Sequence, residues 1–145
     1  MLKKTITYED YDGNTRTEDL YFYISKAELT EMELSTPGGF TKKLESITQA
    51  QNGAEIMKVF KEIILKAYGE KTPDGRGFIK KRNGVMLAEE FEQTEAYNQL
   101  FTELIMDPDK AAAFINGIMP RDLVEASKNI ENLQAKAYGI SSGNN

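Results

Sequence analysis

The residues that could do chemistry in this chain are carboxylates, lysines and tyrosines, because its 145 residues include no histidine and no cysteine. Ser-His-Asp and Cys-His nucleophiles, thiolate or imidazole zinc sites and histidine acid–base work are thereby excluded. The acids are densest at Glu89, Glu90 and Glu92, followed by Glu95 and Glu103. A pair of them could serve general acid–base catalysis only if burial or a close like charge shifted a pKa, and most fall on polar helix faces where neither applies. Asp10, Asp12 and Asn14 have the spacing that opens a calcium loop, yet glycine stands at 13 instead of the sixth position, and Tyr21 stands where a bidentate Glu is required. A hairpin turn accounts for them. Gly75-x-Gly77 and Pro37-Gly38-Gly39 complete neither the Walker nor the dinucleotide fingerprint. Lys80-Lys81-Arg82 is the one dense basic run, and with Glu89, Glu90 and Glu92 opposite it reads as solvated surface or local ion pairing. No catalytic residue, cofactor or metal is expected, and a small carboxylate-dependent enzyme is the weakest of the functional readings.

The chain's formal charge of −5 argues against phosphate-dominated nucleic-acid binding, which needs clustered cations. The partner to expect is a protein. The absence of cysteine fits a reducing compartment, no apolar run is long enough for a signal peptide or a membrane span, and the expectation is a cytoplasmic protein.

The elements follow from periodicity. Leu2 to Tyr8 and Thr17 to Ile24 alternate as strands around a turn at Asp12-Gly13, which predicts an antiparallel hairpin over 1–24. Ser25 and Glu28 form a capping box that opens a short helix through Leu29, Met32 and Leu34. A weaker helix is expected over Thr41 to Ala50. A strong one, capped by Asn52, follows from Gly53 to Tyr68, with Gly69 as its C-cap. Phe78-Ile79-Lys80 before Asn83-Gly84 suggests a second small hairpin. Then come a short helix over Ala88 to Gln93, one capped by Thr94, and one capped by Asp107 with Pro108 in its first turn and stopped by Pro120. A last helix capped by Asp122 and a polar tail over 134–145 complete the chain. The fold expected is mainly α, one compact domain in which a bundle of short helices over 25–133 carries the amino-terminal β-hairpin.

The segment FEQTEAYNQLFTELIMDPDKAAAFINGIMP at 91–120, with YGEKTPDGRGFIKK before it, resembles the tail assembly chaperones of long-tailed bacteriophages. The likeness runs from about Met57 to Leu123, more loosely into the hairpin, and is one of helix pattern. It implies a non-catalytic protein of the host cytoplasm, not retained in the mature virion, that keeps the tape-measure protein soluble until tail tube subunits polymerise around it. The resemblance also implies the tail tube protein as a second partner, through a longer frameshifted form. Self-association is expected, and no nucleic acid or membrane partner. The competing reading is a structural virion protein, a minor tail or head–tail connector component.

Apolar arcs on the helices at 56–68 and 96–105 span about half the helix circumference, more than the roughly 100° that packing on one neighbour uses. Phe60, Ile64, Tyr97, Phe101, Ile105 and Met119 are therefore the expected protein-binding residues.

Overall fold

The structure is a computed structural model that describes residues 1–43, 46 and 53–120. Strands β1 (Leu2–Glu9) and β2 (Thr15–Phe22) form the long hairpin, in register from Leu2 opposite Phe22 to Glu9 opposite Thr15. Its turn explains the calcium-like spacing. The Asp10 carboxylate accepts the backbone N–H groups of Asp12 and Asn14 and the Arg16 guanidinium, while Gly13 supplies a φ of +82°.

Ser25 then caps α1 (Lys26–Ser35) with the full reciprocal box that its sequence predicts. This helix buries little: Leu29 and Met32 are half-buried, and Leu34 is 82% exposed. The chain is helical again at 40–43 and at 46, and the other residues of the helix expected over 41–50, with its Asn52 cap, lie outside the described residues.

Helix α2 (Gly53–Ala67) is strongly amphipathic and buries Val59, Phe60, Ile63, Ile64 and Ala67. It passes directly into β3 (Tyr68–Lys71), which pairs antiparallel with the end of β2 and in turn with β4 (Phe78–Ile79). Gly69 is thus a strand residue and not a C-cap. It is needed because a Cβ there would lie 2.6 Å from the Phe78 ring and 2.8 Å from the Ile79 carbonyl oxygen.

The small second hairpin is β5 (Lys81–Arg82) and β6 (Val85–Met86), turning through Asn83 and Gly84, both at positive φ. Helices α3 (Leu87–Phe91), α4 (Glu95–Met106) and α5 (Pro108–Ile118) follow. Thr94 accepts the Tyr97 N–H to cap α4, and Asp107 accepts those of Asp109 and Lys110 to cap α5 across the expected corner. The final helix expected after Asp122 and the tail over 134–145 lie outside the described residues.

A mainly α fold is therefore not what forms. Among the described residues 52% are helical and 23% lie in strands, and the sheet has four antiparallel strands in the order β1-β2-β3-β4. The class is mixed. The difference arises between 68 and 79, where strands of four and two residues are too short to show an alternation that could be told from a loop. One face of the sheet, with Ile6, Leu20 and Phe22, packs on the helices, while Thr5, Thr7, Thr17 and Asp19 face outward. A backbone bond from Ile24 N–H to the Ile118 carbonyl ties the strand exit to the end of α5.

Candidate functional site

The core is built around Phe22, which has no exposed surface and meets the rings of Tyr68, Phe91 and Phe114 at 5.8, 5.9 and 5.2 Å between centroids. Phe91 stacks face to face on Tyr68 at 4.0 Å and meets Tyr97 edge-on at 5.5 Å. Tyr97 then stacks with Phe101 at 5.8 Å. A continuous series of rings thus runs from the centre of the molecule to the shoulder of α4, and Phe101 is its outermost member.

This geometry sorts the six expected protein-binding residues. All belong to one apolar cluster or pack against it. Phe60, Ile64 and Tyr97 are buried within it, Phe60 meeting Phe114 edge-on at 6.3 Å, so these three form core and offer little accessible surface in this conformation. Phe101, Ile105 and Met119 are half-buried and reachable from solvent. Phe101 and Ile105 are one turn apart on the same shoulder of α4, and at the end of that helix Met106 is 77% exposed.

Charge borders this shoulder without entering it. Lys61 on α2 pairs with Glu92 at 2.7 Å beside Tyr97, whose hydroxyl is pushed up in pKa chiefly by burial, with Lys61 opposing and Glu92 adding. The basic run at 80–82 pairs elsewhere than expected. Lys80 binds Glu28 and Arg82 binds Glu70, because the strands carry both away from α3. Among the described residues no group of His, Cys, Asp or Glu is placed to hold a metal ion, and no helix is long and apolar enough to cross a membrane.

A second feature was not legible in the sequence. Between β1 and α4 lies an open cleft of about 570 Å³, bordered by Tyr8, Glu9, Glu95, Gln99 and Glu103. It depends on how a strand and a helix ninety residues apart are set side by side, and no local pattern announces it.

A small acidic domain of mixed helix and antiparallel sheet, with an apolar shoulder and no catalytic constellation among its described residues, has the makings of a protein-binding module. The family model for phage tail assembly chaperones matches residues 1–142, and the chain belongs to that family. Membership implies a non-enzymatic role during tail assembly in the host cell. Comparison with curated proteins and with solved structures returned no match.

Proposed function

We propose that this chaperone binds the tape-measure protein and keeps it soluble in the host cytoplasm until tail tube subunits polymerise around it, leaving before the particle is complete. The observation that carries the reading is the half-exposed pair Phe101 and Ile105 at the outer end of the aromatic series, held in place by core rings and so preorganised for an apolar helical client. Met106, next to Ile105 at the end of α4, adds an exposed and adaptable apolar side chain. Each copy need bind only weakly, since many copies on one long client gain by multivalency and remain displaceable by tube protein.

The test is co-expression with the tape-measure protein of the same phage, followed by pull-down and assay of soluble client. The double variant Phe101→Asp, Ile105→Asp is expected to stay folded and lose the client. A folded variant that solubilises the client as well as the parent would reject this surface. Finding the chain at stoichiometric levels in purified particles would favour the structural-component reading instead.

A further inference from the structure

We infer that β1 is a self-association edge, on which a second copy of this chain adds its own β1 antiparallel, with Ile6 opposite the partner's Ile6. Among the described residues β1 pairs only with β2. The register fixes which backbone groups remain for a partner. The Asp10 N–H donates to the Asn14 carbonyl, one pair beyond Glu9 opposite Thr15, so Leu2, Lys4, Ile6 and Tyr8 exchange hydrogen bonds with β2. The N–H and C=O groups of Lys3, Thr5, Thr7 and Glu9 therefore point away from it. The Thr7 carbonyl confirms that direction, because it accepts the side-chain amide of Gln99 from α4 at 2.7 Å. Gln99 is the one described group laid on this edge by a hydrogen bond. Its side chain is exposed and can swing aside, and a carbonyl has a second lone pair.

What selects a second copy as the occupant is the charge and side-chain pattern of β1 itself. Centring the pair on Ile6 places Lys3 opposite the partner's Glu9, and Glu9 opposite the partner's Lys3, on the outer face. Thr5 then faces the partner's Thr7, repeating the hydroxyl contact that Thr7 and Thr17 already make at 2.9 Å across the hairpin. All of these pairs are odd with odd, the parity of the free backbone groups. Sliding the register by two residues in either direction keeps the parity but loses both lysine–glutamate pairs. On the inner face Lys4 comes opposite the partner's Tyr8, beside the cleft that carries Glu95 and Glu103, where Lys110 lies 3.0 Å from Glu103. The cleft opens beside the Tyr8–Glu9 end of β1, and its α4 carboxylates match the lysine that the added strand would bring there.

The pairing is separate from client binding, so its test uses the full-length chain alone. Sedimentation equilibrium is run on the parent, on Lys3→Glu, on Glu9→Lys, and on the double variant carrying both changes, with thermal melting to confirm that each is folded. The parent is expected to dimerise reversibly. Each single reversal sets two like-charged pairs across the symmetric interface and should weaken dimerisation on the order of tenfold or more, while the double variant restores it with the charges exchanged. Thr5→Pro, which removes an outward N–H without touching a bond to β2, should also abolish the dimer. A parent chain that stays monomeric, whether or not it takes up an extended client segment, would overturn the inference. So would association that both single reversals leave unchanged.

Discussion

The Lys80 ammonium lies 2.8 Å from both carboxylate oxygens of Glu28, although 52 residues separate them. It also donates to the carbonyls of Tyr23 at 2.6 Å and Lys66 at 2.7 Å, so one cation joins the exit of β2, the first turn of α1 and the last turn of α2. A cation at the end of α2 also suits the negative pole of that helix. Burial alone would raise the Glu28 pKa, but the Lys80 hydrogen bond, followed by the Ser25 N–H, holds it below the ordinary carboxylate value.

Lys80→Met should therefore destabilise the fold by about 2 kcal/mol, the usual loss when a charge-assisted hydrogen bond is removed and its partner stays half-buried. The pH dependence has a definite sign. A depressed carboxylate pKa contributes stability that is complete above the unfolded value and disappears as pH falls through the folded one. Thermal melting of the parent should show that acid loss, and Lys80→Met should flatten it; an unchanged acid limb in the variant would count against the latch.

Two glycines make opposite forecasts. Gly69→Ala sets a methyl against the Phe78 ring and the Ile79 backbone, neither of which can retreat without parting β3 from β4, and should cost about 1–3 kcal/mol. Gly117→Ala meets only the flexible end of Leu2, at 3.0 Å, and gains helix propensity in the last turn of α5. Its stability should stay within about 0.5 kcal/mol of the parent. Chemical denaturation of the two variants side by side is the check.

The corner between α4 and α5 rests on Asp107, whose Oδ1 accepts the N–H groups of Asp109 and Lys110 at 3.0 and 3.2 Å. Asp107→Ala leaves both donors to water and should cost about 1 kcal/mol, whereas Asp107→Asn keeps an acceptor in place and should cost less. Equal losses in the two variants, measured by denaturation, would mean that charge and not capping sets the corner.

Features written in a few consecutive residues were legible in the sequence: the Ser25–Glu28 box, the Asp107-Pro108 corner, the Asn83-Gly84 turn and the β1–β2 alternation all form where their residue types require. Strand β3 was not legible. In Tyr68-Gly69-Glu70-Lys71 a glycine after a strong helix reads as a cap, and pairing with the distant Tyr21 and Phe22 on one side and with Phe78 and Ile79 on the other makes the segment a strand. How much of the apolar helix arcs is covered depends on long-range contact in the same way. The wide apolar arcs of α2 and α4 exceed what one neighbour buries, and the sheet and α5 supply a second that covers Phe60, Ile64 and Tyr97. The two α4 positions on the outer flank of that arc, Phe101 and Ile105, stay partly open.

That division leads to a separation of effects along one line of packed side chains. Ile64 has no exposed surface, and Ile64→Ala should destabilise by about 2–5 kcal/mol, as truncation of a core aliphatic side chain does when the cavity cannot collapse. Any client loss in that variant should follow the unfolded fraction and be recovered on cooling. Phe101→Ala gives up only part of a ring's burial and should cost roughly 1 kcal/mol, about half the value of a fully buried phenylalanine. If Phe101 and Ile105 form the docking shoulder, Phe101→Ala loses client retention at temperatures where its melting curve is still flat, while Ile64→Ala retains client until it begins to melt. Client retention that tracks stability alone in both variants would remove the shoulder from the binding surface.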